Sequence, residues 1–230
     1  MRNWIIAIAL LLMAPVPATA QPQDISQPGT VAHAAARAGF PEQVGEFRRV
    51  HVLRYSEDDI SGNYNLVRDG NFLRLSVYIY PAPHVREAER GEVCRNEMAA
   101  VGASIQQVYP DARQVEAGEA AALPGTVAGL RLRTLHRFDM AIRSAEPEEV
   151  RRESRLYCYV GGDWFVKYYA SSNASFDVAA AIDAFIAAGP WPGRGAGSVA
   201  LLHASPPGTS LVAAAFFPAG RRKWTSATSR

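Results

Sequence analysis

The sequence predicts an α+β domain: a mostly antiparallel sheet of about six strands, with a long amphipathic helix and a C-terminal helix packed on one face. Three observations predict it. Residues 72–83, FLRLSVYIYPAP, alternate Leu73, Leu75, Val77 and Ile79 with Arg74, Ser76, Tyr78 and Tyr80, the period of two that gives a strand one dry and one wet face. Between 85 and 108 the period lengthens, and Cys94, Met98, Val101, Ile105 and Val108 recur every three or four residues, as on one face of a helix. Turn dipeptides Asp69-Gly70 and Gly161-Gly162 separate strand-like segments, which favours hairpins over the strand-helix alternation of a parallel sheet.

Along the chain, Thr30 caps a short predicted helix through Arg37, closed by Gly39 and Pro41. Residues 47–55, FRRVHVLRY, read as the first strand, and two extended segments flank Asp69-Gly70. Pro81 and Pro83 end the second of them, and Pro110 stops the helix of 85–108. Residues 130–138, 154–160 and 163–171 supply further strands. Ser175 is expected to cap a final helix that ends at Gly189-Pro190.

The ends of the chain differ from its middle. Arg2, an apolar run over 4–13, helix-breaking Pro15 and Pro17 and then Ala18-Thr19-Ala20 have the layout of a secretory signal peptide cleaved after Ala20. The expected location is therefore periplasmic or secreted, with no transmembrane segment in the mature chain. A single domain is expected over 21–190. Residues 191–230, rich in Pro, Gly, Ser and Ala, read as a basic tail of low order. Six of the 24 basic residues, Arg2, Arg194, Arg221, Arg222, Lys223 and Arg230, lie in these appendages, so 21–189 carries 18 basic against 22 acidic residues. That balance argues against a nucleic-acid partner.

Cys94 lies on the helical stripe and Cys158 shares a strand face with Leu156 and Val160, so both thiols point into one layer. In an oxidising compartment a Cys94–Cys158 disulfide is expected, with two buried, inert thiols as the alternative. His33, His51, His84, His136 and His203 show no ligand spacing, and neither a metal site nor a cofactor is expected. The acidic run SEDDIS over 56–61 lacks the spacing of a calcium loop, and GRGAGS over 193–198 follows no strand.

The wet strand faces carry arginine and tyrosine. Arg74, Tyr78, Arg131, Arg133, Tyr157 and Tyr159, with Arg137, Arg155, Lys167 and Tyr169, alternate with aliphatic residues. Such a face can stack on sugars, peptides or anionic groups; the plainer account is a solvated sheet surface in a chain that uses 22 arginines and only two lysines. A non-catalytic binding or envelope-support module is the expected function, with an unknown protein or small envelope ligand as partner. The alternative is a hydrolase whose site assembles from loops around His51, His84 or His136.

The run FPEQVGEFRRVHVLRY, followed by ISGNYNLV, LRLSVYIYPAP, a long helix and then GGDWFVKYYAS, resembles a group of small exported proteobacterial proteins of unknown function. The likeness covers most of 40–190. It implies one exported domain and carries no activity.

Overall fold

The computed structural model describes residues 21–68, 71–121, 123, 126–138, 148–173 and 177–192. The expected signal segment over 1–20, the expected turn at Asp69-Gly70, the expected Ser175 cap and residues 193–230 lie outside the described residues.

The chain builds one nine-stranded antiparallel sheet around three long strands, β5 (Phe47–Ser56), β6 (Asp59–Arg68) and β7 (Asn71–Pro81). Strand β7 pairs with β11 (Trp164–Asn173), which pairs in turn with β10 (Glu148–Val160), β9 (Ala128–Phe138) and the edge strand β8 (Arg113–Glu119). Two-residue strands β1 (Gln23–Asp24) and β4 (Gln43–Val44) both pair with β5. The predicted alternation of 72–80 is observed: Leu73, Leu75, Val77 and Ile79 are at most 1 % exposed. Helix α1 (Glu87–Val108) separates β7 from β8, and α2 (Val178–Ala188) follows β11. No helix of the described residues is long and apolar enough to cross a membrane.

The predicted architecture, six strands with both helices on one face, is incorrect. The sheet has nine strands, and its two helices cover opposite faces. Leu156 and Cys158 belong to the apolar layer of Cys94 and α1, whereas Tyr157, Val166 and Tyr168 belong to the layer of Ile182, Phe185 and Trp191. Adjacent residues of a strand point to opposite faces, so β10 and β11 are covered on both sides. Alternation identifies a half-buried strand such as β7 but gives no warning when polar and aromatic residues are themselves covered. Strand β8 was missed because RQVEAGE has no apolar rhythm: only Glu116 is even half-buried.

Residues 30–37 do not form a helix. They enter a small hairpin of β2 (Val31–His33) and β3 (Ala38–Phe40), with Arg37 at φ 50°. Eight residues are too few to sustain a helix without packing, and tertiary contacts decide the outcome. The Phe40 ring lies over Gly62, where a Cβ would come within 2.4 Å of it. The Arg49 guanidinium donates to the carbonyls of Phe40, Gly29 and Gln27. At the other end of the domain, Asp177 caps α2 by accepting from the Ala180 N–H at 3.1 Å. Trp191 is 2 % exposed and stacks on Phe185 at 5.0 Å, so the packed body extends past residue 190.

Helix α1 follows its predicted stripe: Cys94, Val101 and Ile105 are buried, although Val108 at its end is 42 % exposed. The Cys94–Cys158 disulfide joins the helix to β10 across 64 residues of chain. Closing a loop of that length is worth about 4 kcal/mol in the chain-entropy account. Peptide mapping without reduction is expected to recover the linked pair. Replacing both cysteines with alanine should lower urea-unfolding stability by about 2–4 kcal/mol.

Candidate functional site

The six residues marked as a possible binding face are distributed over both sides of the sheet. Register explains the division. Tyr78 is opposite Lys167, Lys167 opposite Leu156 and Leu156 opposite Leu130, which places Tyr78 on the α1 side and Arg131, one residue on, on the α2 side. Arg74 is exposed on the α1 side, its guanidinium 5.5 Å from the Phe72 ring. Tyr157 is 1 % exposed in the α2-side core, 5.8 Å from Tyr168. Tyr159 occupies an irregular step at the end of β10 with φ 58°. It is 2 % exposed, its hydroxyl donates to the Pro83 carbonyl at 3.1 Å, and Arg90 lies 4.7 Å over its ring. A cavity of about 520 Å³ opens beside it between His84, Arg86, Glu89 and Asp163.

On the α2 side, Arg131 and Arg133 enter a ladder of alternating charge. Glu116 accepts from both, Arg133 also donates to Glu153, and Glu153 accepts from Arg155, which reaches Asp183 on α2. Arg131 and Arg155 are directly opposite across β9 and β10; the interleaved carboxylates offset a pairing that would otherwise repel. Glu153 and Arg155 have side chains only 3 % and 4 % exposed. A cavity of about 540 Å³ borders the ladder beside Arg151, Asp177 and Val178.

Beneath the end of α1 lies a second polar group. His136, Thr134, Arg152 and Ser154 are all at most 6 % exposed. Arg152 stands between the Tyr109 and Tyr169 rings, at 4.3 and 4.7 Å, and the His136 ring lies 4.0 Å from that of Tyr109. Burial, and then the nearby Arg152 charge, push the His136 imidazole down to about 4.

Helix α1 lies chiefly over β9 and β10 and meets β11 and β7 at Phe165, Tyr169 and Tyr80, with β5, β6 and the rest of β7 continuing beyond it on the same side. Tyr55, Asn63, Ser76, Tyr78, Tyr80, Lys167 and Tyr169 are half-buried there. Ser76 donates to Asn63 at 2.6 Å, and the Tyr80 hydroxyl donates to Glu97 of α1 at 2.7 Å. The Lys167 amine lies over two rings, 4.9 Å from the centroid of Tyr78 and 5.4 Å from that of Tyr80. Burial lowers its pKa, partly offset by Glu97 and Asp59, and burial raises those of Tyr78 and Tyr80. Asn63, Ser76 and Glu97 carry no sequence signature and were missed. Lys167 had one: it and Lys223 are the only lysines in the chain.

The histidines take other places. His33 contacts the Asp58 carbonyl at 3.3 Å and the Trp164 ring at 5.0 Å, and burial lowers its pKa. Burial also lowers that of His51, against the opposing pull of Asp24. Both cysteines are in the disulfide. Among the described residues, no group of three or more His, Cys, Asp and Glu could hold a metal ion. The chain matches no protein-family model, no curated protein and no solved structure.

Two measurements check this account of the sheet's polar groups. His136 is neutral when folded and titrates near 6.5 when unfolded, so its contribution is full above pH 6.5 and declines as pH falls toward about 4. The expected loss across that window is about 3 kcal/mol in urea-unfolding stability, and His136→Phe should remove this component. Glu153→Ala leaves Arg155 buried with one carboxylate partner fewer and should cost about 3–5 kcal/mol, against less than about 1 kcal/mol for the more exposed Arg131→Ala.

Proposed function

We propose that the protein is an exported, non-catalytic module that binds a small polar envelope ligand on the half-sheet left open by α1, around Lys167. One observation carries this reading. The opposite side of the same strands is sealed by α2 and Trp191, whereas this side offers Tyr55, Tyr78 and Tyr80, an amide, a hydroxyl and an amine, all half-buried. Tyrosine combines flat contact area with a polar tip at low entropic cost, and a few fixed donors and acceptors around it supply orientation. Helix α1 forms one wall, through Glu97 and its bond from Tyr80. The disulfide holds that wall against β10.

A rigid sheet suits this role because its side chains are ordered before a ligand arrives, which limits the entropy lost on binding. The hydrogen bond from Ser76 to Asn63 orients the amide across two neighbouring strands.

Equilibrium dialysis of chain 21–230 against a low-molecular-mass envelope extract, followed by mass spectrometry, tests the reading. A retained small molecule is expected. Its retention should fall about tenfold in Tyr55→Ala and Asn63→Leu, the loss of roughly 1.4 kcal/mol of contact energy, while the thermal midpoint moves by no more than a few degrees. Unchanged retention in both variants, or no retained molecule, would overturn it.

A further inference from the structure

Arginine supplies the cationic side chains of the folded body almost without exception. The sequence has 22 arginines and two lysines, and Lys167 is the single lysine between residues 21 and 192. It is placed where a charged group is poorly accommodated, in a central strand that pairs with β7 on one side and β10 on the other. Every ion pair described above uses arginine, and Lys167 joins none among the described residues. Its neighbours are instead the faces of Tyr78 and Tyr80. For a permanently charged cation, arginine would stack on those rings more effectively. What lysine offers and arginine does not is an amine that can lose its proton and become a nucleophile.

We propose that Lys167 is a covalent capture site for carbonyl compounds, small aldehydes above all, whose carbon reaches Nζ across the open half-sheet. The inference rests on the reading of that half-sheet as the binding face and names the ligand chemistry it takes. Burial of the side chain lowers its pKa, which increases the fraction of neutral amine near pH 7. The residue is half-buried rather than sealed, which leaves a route to it from solvent.

The step balances without a further reagent. The Nζ lone pair attacks the carbonyl carbon, the C=O π pair moves to oxygen, and a proton passes from nitrogen to that oxygen to give a carbinolamine. The hydroxyl then leaves as water with a second proton, and the nitrogen lone pair forms the C=N bond. Amine and aldehyde have become imine and water. The Tyr80 hydroxyl, bonded to Glu97 at 2.7 Å, belongs to a ring whose centroid is 5.4 Å from Nζ and would serve as the relay for these transfers. Tyr78 and Tyr80 exclude water from the flank they cover, which favours the imine over its hydrolysis.

The test uses chain 21–230, propanal and cyanoborohydride at pH 7, which reduces each imine to a stable propyl amine. Arginine-specific digestion and mass spectrometry then locate the adducts. Lys167 is expected to label at least tenfold faster in the folded protein than in the same chain unfolded in urea, with its pH profile levelling off at lower pH than that of the unfolded chain. Lys167→Arg should abolish that adduct and keep the thermal midpoint within a few degrees; Lys167→Met serves if it does not. Labelling equal to or slower than in the unfolded chain would overturn the proposal. If that result came with a dialysis ligand still lost from Tyr55→Ala, covalent capture would fall and the binding face would stand; if dialysis also retained nothing, both would fall.

Discussion

The covalent link between α1 and β10 is the constraint on which the α1 side of the sheet depends. Cys158 sits between Tyr157, which points to α2, and the irregular step at Tyr159. Tying that position to Cys94 therefore fixes both the face that the helix covers and how far along the sheet it lies. A helix of 22 residues is long enough to cross several strands. Held at β10 and running over β9, it reaches β7 at Tyr80, and its main contacts stop short of β5 and β6. The open half-sheet follows from where the helix is anchored.

Electrostatics divide the two sides differently. Toward α2 the charges neutralise one another through Glu116, Arg133, Glu153 and Arg155, and the most buried members gain two partners each. Buried ion pairs return little net stability, but losing one member leaves a charge stranded. That side is committed to structure. Toward α1, by contrast, Arg152 is held between aromatic rings and Lys167 rests on two more. Ring faces support a cation without cancelling its charge; Arg152 is buried in this way, whereas Lys167 is half-buried.

Much of the fold was legible as rhythm. The aliphatic face of β7, the stripe of α1 and the nearness of Cys94 to Cys158 all follow from spacing, because each is a local periodicity with a single burial outcome. What rhythm does not carry is parity between strands. Whether Arg131 shares a face with Tyr78 depends on the pairing of β11 with both β7 and β10, and a shift of one residue inverts the answer. The alanine-rich 30–37 segment reads locally as helix, and only the distant Arg49 and Gly62 make it a hairpin. For the candidate site, the legible clue was compositional: a lone lysine in an arginine-rich body. Its companions Asn63, Ser76 and Glu97 come from three different elements and meet only when the sheet is assembled.

The two margins of the sheet complete the picture. A long antiparallel sheet exposes unpaired amides at its outermost strands, and like molecules can add to them indefinitely. Here β5 is overlaid at one end by β1 and at the other by β4, with the Ile25 amide bonded to Val52 between them. On the far margin, β8 carries Arg113, Glu116 and Glu119 and breaks its register between Gln114 and Glu116. Short overlays on one side and charge with a kink on the other make both margins poor templates, so growth into filaments is disfavoured even where the protein is crowded.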